Sequence, residues 1–218
     1  MPNYLSIVPN SPEARSVDER LDDLGLTVDL LHRAARTGLI ARSKRTRFAP
    51  RNAPGTDLYS HTVEELRLQT EPLGWTIDQS GGQERTISPD GQFAIVVSTG
   101  DGPVGKPGTP RTAHPKGQKT RQAIVSNQLW LQESITGLVV DAATTVPATT
   151  GPATVWIFLV KVEEAELVME LSLPDHFDKD GRPDGFADRI LLPAIPLSVQ
   201  PGSDADQPPS FDVPVERR

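Results

Sequence analysis

The sequence predicts an α+β fold: an antiparallel sheet, built from two βββ runs flanking a helix, with helices packed on one face. Three observations carry this. Apolar residues recur at helical spacing as far as Leu73, and from Trp75 the period drops to two. Turn signals such as Ser88-Pro89-Asp90-Gly91 divide the alternating stretches. The longest apolar run, Val155 to Val160, has the length of a strand and is far short of a membrane span.

In chain order, residues 1–16 hold three prolines and read as a disordered tail. A helical region with a basic face covers residues 17–56, with a break near Gly25. Thr27 is a good N-cap and Asp29 lies in the first turn, where the helix dipole favours an acid. Leu30, Leu31, Ala34, Gly38 and Ala41 then share one apolar face. Phe48 to Asp57 reads as a loop because of Pro50, Pro54 and Gly55, and Thr62 with Glu65 as a capping box that starts a second helix. Val63, Leu66, Thr70 and Leu73 make its buried side.

The α+β core domain is placed at residues 57–198. Trp75–Asp78, Glu84–Ser88 and Gln92–Ser98 form a first meander. Gly100 to Gly117 is a Gly/Pro loop, Lys119 to Leu131 a helix, and Glu133 to Pro152 an irregular connection. Ala153–Val162 and Glu166–Leu173 form a hairpin through Glu163-Glu164, and a polar loop from Asp175 to Gly185 leads to a last strand, Phe186–Leu192. Residues 199–218 read as a Pro-rich tail.

Composition narrows the chemistry. There is no cysteine, so no disulfide framework and no thiolate metal site. The N-terminus has neither a basic nor an apolar region of the secretory kind, so a cytoplasmic protein is expected. The net charge of −7 is uneven. Residues 30–56 hold seven bases and no acid, and residues 102–132 hold five bases and no acid. The rest of the chain carries 29 acids against 10 bases. Two basic islands on an acidic body point to a local anion-binding surface.

Three motifs nearly fit a chemistry and then fail. Gly100 to Pro107 spells GxxxxGK, but Pro103 and Pro107 each remove an N–H that a phosphate cradle needs. Pro107 also stands where a hydroxyl should hold the metal. His176 to Asp184 contains the D-x-D-G of a calcium loop, but the first ligand would be His176 and the twelfth position is Ala187, not glutamate. The Pro89-Asp90 pair resembles the start of a nuclease motif, yet no lysine follows an acid or glutamine at a spacing of two. His32, His61, His114 and His176 make no metal-binding spacing. No metal or other cofactor is expected.

The basic islands remain. The candidate phosphate contacts are Arg33, Arg36, Lys44 and Arg47 on the first island, and Lys106, Arg111, Lys116, Lys119 and Arg121 on the second. On one continuous helix the first four fall within an arc of roughly 80°. The bland reading is a solvated face paired with the protein's own acids. Aromatics are scarce near both islands, which argues against stacking on single strands.

Ser88-Pro89-Asp90-Gly91 with the AIVVSTGDG run, Leu171 to Pro174, Arg189 to Pro193 and the terminal DVPVERR resemble a family of bacterial proteins with no established activity. The resemblance supplies no catalytic residue. The element order is also similar to that of type III secretion chaperone-like proteins, which are small, acidic, dimeric and non-enzymatic. The expected function is therefore a non-enzymatic, macromolecule-binding or accessory protein. Its basic clusters at 33–51 and 106–121 would touch DNA or RNA phosphates. The alternatives are a chaperone-like adaptor that binds a protein partner or pairs as a homodimer, and an enzyme whose site is assembled from scattered residues. No membrane partner is expected.

Overall fold

The computed structural model describes residues 15–80, 84–115 and 153–197. The predicted helix at 119–131, the connection at 133–152, the C-terminal tail and all of the N-terminal tail but Arg15 and Ser16 lie outside the described residues. Three helices lead: α1 (Val17–Asp22), α2 (Val28–Ser43) and α3 (Ala53–Thr70). The strands follow: β1 (Thr76–Asp78), β2 (Arg85–Ile87), β3 (Phe93–Asp101), β4 (Arg111–Thr112), β5 (Thr154–Val162), β6 (Glu166–Phe177), β7 (Pro183–Leu191) and β8 (Ile195–Pro196).

All eight strands form one sheet in the order β1-β2-β3-β5-β6-β7, with β4 on β3 and β8 on β6. The fold is α+β, but the sheet is mixed and not antiparallel throughout. β3 and β5 run parallel, from Phe93 opposite Thr154 to Thr99 opposite Val160. The two meanders meet along these strands, and both strands are buried on both faces. That is why they read as apolar runs and not as alternating patterns.

On β5, Trp156, Phe158 and Val160 face the helices and join one cluster with Leu21, Leu31 and Leu66. Val155, Ile157 and Leu159 face the other way, with Ala94, Val96 and Val168. Val104, fully buried, inserts from the β3–β4 loop into this second cluster. The helices thus share one core with the sheet. No helix among the described residues is long and apolar enough to cross a membrane.

Several boundaries differ from the sequence reading. Thr27 does cap α2, accepting from the Leu30 N–H at 3.2 Å. Thr62, however, is interior to α3, and its hydroxyl donates to the Leu58 carbonyl at 2.6 Å. Pro54 does not mark a loop, because the first helical turn tolerates proline. Leu73 is exposed, lying in the 3-10 turn Glu71–Leu73 that closes α3. β6 runs on to Phe177 and shortens the polar loop, with shifted register around Pro174 that absorbs the missing N–H. Beyond Pro193 the chain still pairs: Ile195 lies opposite Leu167.

α2 packs on α3 at Gly38. A β-carbon there would collide with the Thr62 hydroxyl and sit 2.5 Å from the Leu58 carbonyl oxygen. Alanine would raise helix propensity by about 1 kcal/mol. Overpacking against an immobile backbone typically costs 1–3 kcal/mol, or more, and here one obstacle is α3 itself. Gly38→Ala is therefore expected to destabilise the fold by about 1–2 kcal/mol, read as a lower urea midpoint.

Candidate functional site

The corner between α2 and α3 collects the first basic island. α2 stops at Ser43, whose hydroxyl donates to the Ile40 carbonyl at 2.9 Å. Two tight turns follow, closed by Ala49 N–H to Thr46 carbonyl (3.0 Å) and Ala53 N–H to Pro50 carbonyl (2.9 Å). Arg45 anchors the corner to α3 through a two-pronged ion pair with Asp57. The guanidinium holds the Asp57 carboxyl below its usual range, chiefly by hydrogen bonding. The other bases are left outward. Arg36, Arg42, Lys44, Arg47 and Arg51 have no acidic partner among the described residues. Phe48 stands 81% exposed at the tip, with the Arg47 guanidinium 4.8 Å from its ring centre. On the same corner, Thr37, Ile40, Ala41, Lys44, Arg45 and His61 line a cleft of about 290 Å³.

The predicted contacts are thus only partly brought together. Arg36 lies within α2, while Lys44 and Arg47 lie past its end, so the shared helical arc does not exist; the turn keeps Lys44 and Arg47 together, and Arg36 stays apart from them in sequence and along the helix. Arg33 is exposed on α2 and pairs with Asp29 at 3.0 Å. In the second island, Lys106 is held between Glu163 (2.5 Å) and Glu166 (2.8 Å), which raise its pKa by hydrogen bonding. Arg111 is exposed on β4. Lys116, Lys119 and Arg121 lie outside the described residues.

The GxxxxGK loop already holds an anion, and it is the protein's own. Glu170 is fully buried on β6. Its carboxylate accepts from the Gly105 N–H at 2.7 Å, from Ser172 and from the Arg189 guanidinium. Arg189 also donates to the carbonyls of Lys106 (3.0 Å) and Gly108. The pair therefore clamps this loop onto the second face of the sheet. A phosphate entering the loop would meet a buried carboxylate.

In the calcium-like segment, one Asp178 oxygen accepts the N–H groups of Asp180 and Arg182, both at 2.9 Å. His176 pairs with Asp184, which raises the imidazole pKa by hydrogen bonding and then by its charge. The sign follows: this pair contributes fully below the ordinary histidine value of about 6.5 and fades as pH rises through the higher folded value. Asp184→Asn should return the His176 titration, followed by NMR, toward the ordinary value. Among the described residues no three histidine or acidic side chains gather as a metal site.

A second cleft, about 450 Å³, lies between α3 and the edge strand β1, lined by Tyr59, Val63, Arg67, Leu68, Ile77 and Glu84 among others. Arg67 and Glu84 pair there at 2.8 Å. Burial pushes the Tyr59 hydroxyl up.

Sequence reasoning missed Phe48, Glu170 and Arg189. A lone aromatic at the start of a loop carries no periodic signal. Glu170 did leave a signal, a single charge inside the apolar stretch Leu167 to Leu173. No known protein family, curated protein or solved structure matches this chain.

Proposed function

We propose that this is a non-enzymatic binding protein that contacts nucleic-acid phosphates through the α2–α3 corner. One observation carries the reading: Arg42, Lys44, Arg47 and Arg51 lie at the end of α2 and in the turns that follow it, with no acid set against them among the described residues. Elsewhere the arginines that line clefts are neutralised, as in Arg20 with Asp188 and Arg67 with Glu84. The net charge of −7 does not oppose this reading. At 0.1 M salt, charges more than about 10 Å apart are largely screened, so the corner acts by its own local field. Carboxylates held by arginines suit structure better than proton transfer, which favours binding over catalysis.

The test is the affinity for a fluorescent oligothymidylate between about 50 and 200 mM salt. Four or five phosphate contacts predict a log–log slope of about −3. A flat dependence, or no binding at the lowest salt, would contradict the reading.

The adaptor reading has one observation of its own. Leu68 and Ile77, both more than half exposed, flank the cleft beside the short edge strand β1. Leu68→Asp should abolish self-association or partner capture if that cleft is a protein interface, and should leave oligonucleotide binding unchanged.

A further inference from the structure

We infer that the corner prefers single-stranded nucleic acid, with an unpaired base stacking on Phe48. The inference rests on the phosphate-binding reading above and names the class of ligand. Phe48 is 81% exposed, the most exposed large apolar side chain among the described residues, so its ring is free to meet a partner. Phe48 lies in the first of the two tight turns, and the bases near it in sequence that have no acidic partner among the described residues, Lys44, Arg47 and Arg51, lie on either side of it in the chain. The Arg47 guanidinium sits 4.8 Å from the centre of one face of the ring. This contact restrains the ring and adds positive charge to it. The opposite face is available to a planar partner.

A ring flanked by cations matches a strand in which bases and phosphates alternate. In a duplex the base faces are already stacked on each other, so Phe48 would gain nothing beyond the phosphate contacts. In a single strand every base has a free π-face. The cleft beside Ile40 and Lys44 gives a neighbouring base an apolar wall next to a cation. An anionic membrane also offers phosphates and apolar depth. Against it, the turn residues 44–52 carry one large apolar side chain, and that ring already bears a guanidinium. Insertion would drag the charge toward the acyl chains or break the stack.

The experiment compares the full chain with Phe48→Ala and Phe48→Tyr. The probes are an oligothymidylate, an abasic strand of equal length, the matching duplex, and phosphatidylcholine–phosphatidylserine vesicles. Phe48 is exposed, so truncation should not impair folding; equal urea midpoints check this. The expected result is that Phe48→Ala weakens oligothymidylate binding by about 5- to 100-fold. It should leave the abasic strand, the duplex and the salt slope unchanged, and Phe48→Tyr should bind like the parent. Equal losses on the abasic strand, no loss at all, or tighter binding to the duplex would overturn the stacking role while the phosphate reading stands. Vesicle binding that depends on Phe48, with strand affinity unchanged, would overturn it in favour of a membrane. No binding to any polyanion would overturn both.

Discussion

Replacing Arg189 by leucine should destabilise the protein by about 3–5 kcal/mol, a large share of the stability of a domain this size. The reason is what stays behind. Glu170 has no exposed surface, and without Arg189 only the Gly105 N–H and the Ser172 hydroxyl face its charge. An uncompensated buried carboxylate is among the few single-site lesions of that magnitude. The double variant Glu170→Leu/Arg189→Leu should be more stable than Arg189→Leu alone, because it removes the stranded charge together with its partner. Recovery should be incomplete, since the Gly105 N–H then loses its acceptor, at about 1–3 kcal/mol. Urea unfolding of the four corners of this cycle gives the coupling directly. A double variant as weak as the sum of the two singles would show that the two side chains do not act as a pair.

Reversing three charges on the corner should have the largest effect on binding. Lys44→Glu/Arg47→Glu/Arg51→Glu replaces three attractive contacts by repulsive ones. The expected result is a loss of at least about 100-fold in oligonucleotide affinity, with the salt slope falling by about 2. None of the three bases pairs with an acid among the described residues, so the fold should tolerate the change. Lys106→Ala is the informative contrast. Sequence places Lys106 among the phosphate contacts, but the folded protein sets Glu163 and Glu166 against it. Its loss should leave oligonucleotide binding unchanged and let the Glu163 carboxyl rise only part of the way toward its ordinary range, since Lys161 also pairs with Glu163 at 2.9 Å.

The helices and strands were legible where local chemistry decides them. Thr27 could be read as a cap because a hydroxyl at that position satisfies an orphan N–H wherever the helix goes. Both meanders could be read from turn residues such as Pro89 and Gly91. The parallel pairing of β3 with β5 could not, because it depends on how two distant runs meet, and alternation says nothing of a neighbour's direction. The start of α3 was misplaced because Pro54 is equally at home in a loop and in a first helical turn.

The candidate site divides in the same way. That residues 30–56 are basic is plain in the sequence, as is the lack of acids between them. Which bases are spent on the protein's own acids is not. Arg45 and Lys106 look like their neighbours in the sequence, yet the first closes on Asp57 across the corner and the second on a hairpin more than fifty residues away. Long-range pairing, not residue type, separates a binding cation from a structural one.

The most direct measurement is an amide chemical-shift map of the protein titrated with oligothymidylate at low salt. Shifts gathered on Arg36, Lys44 to Arg51 and His61, with the Gly102–Gly108 loop unmoved, are the predicted result. Shifts gathered on that loop or on the α3–β1 cleft, with the corner silent, would contradict it.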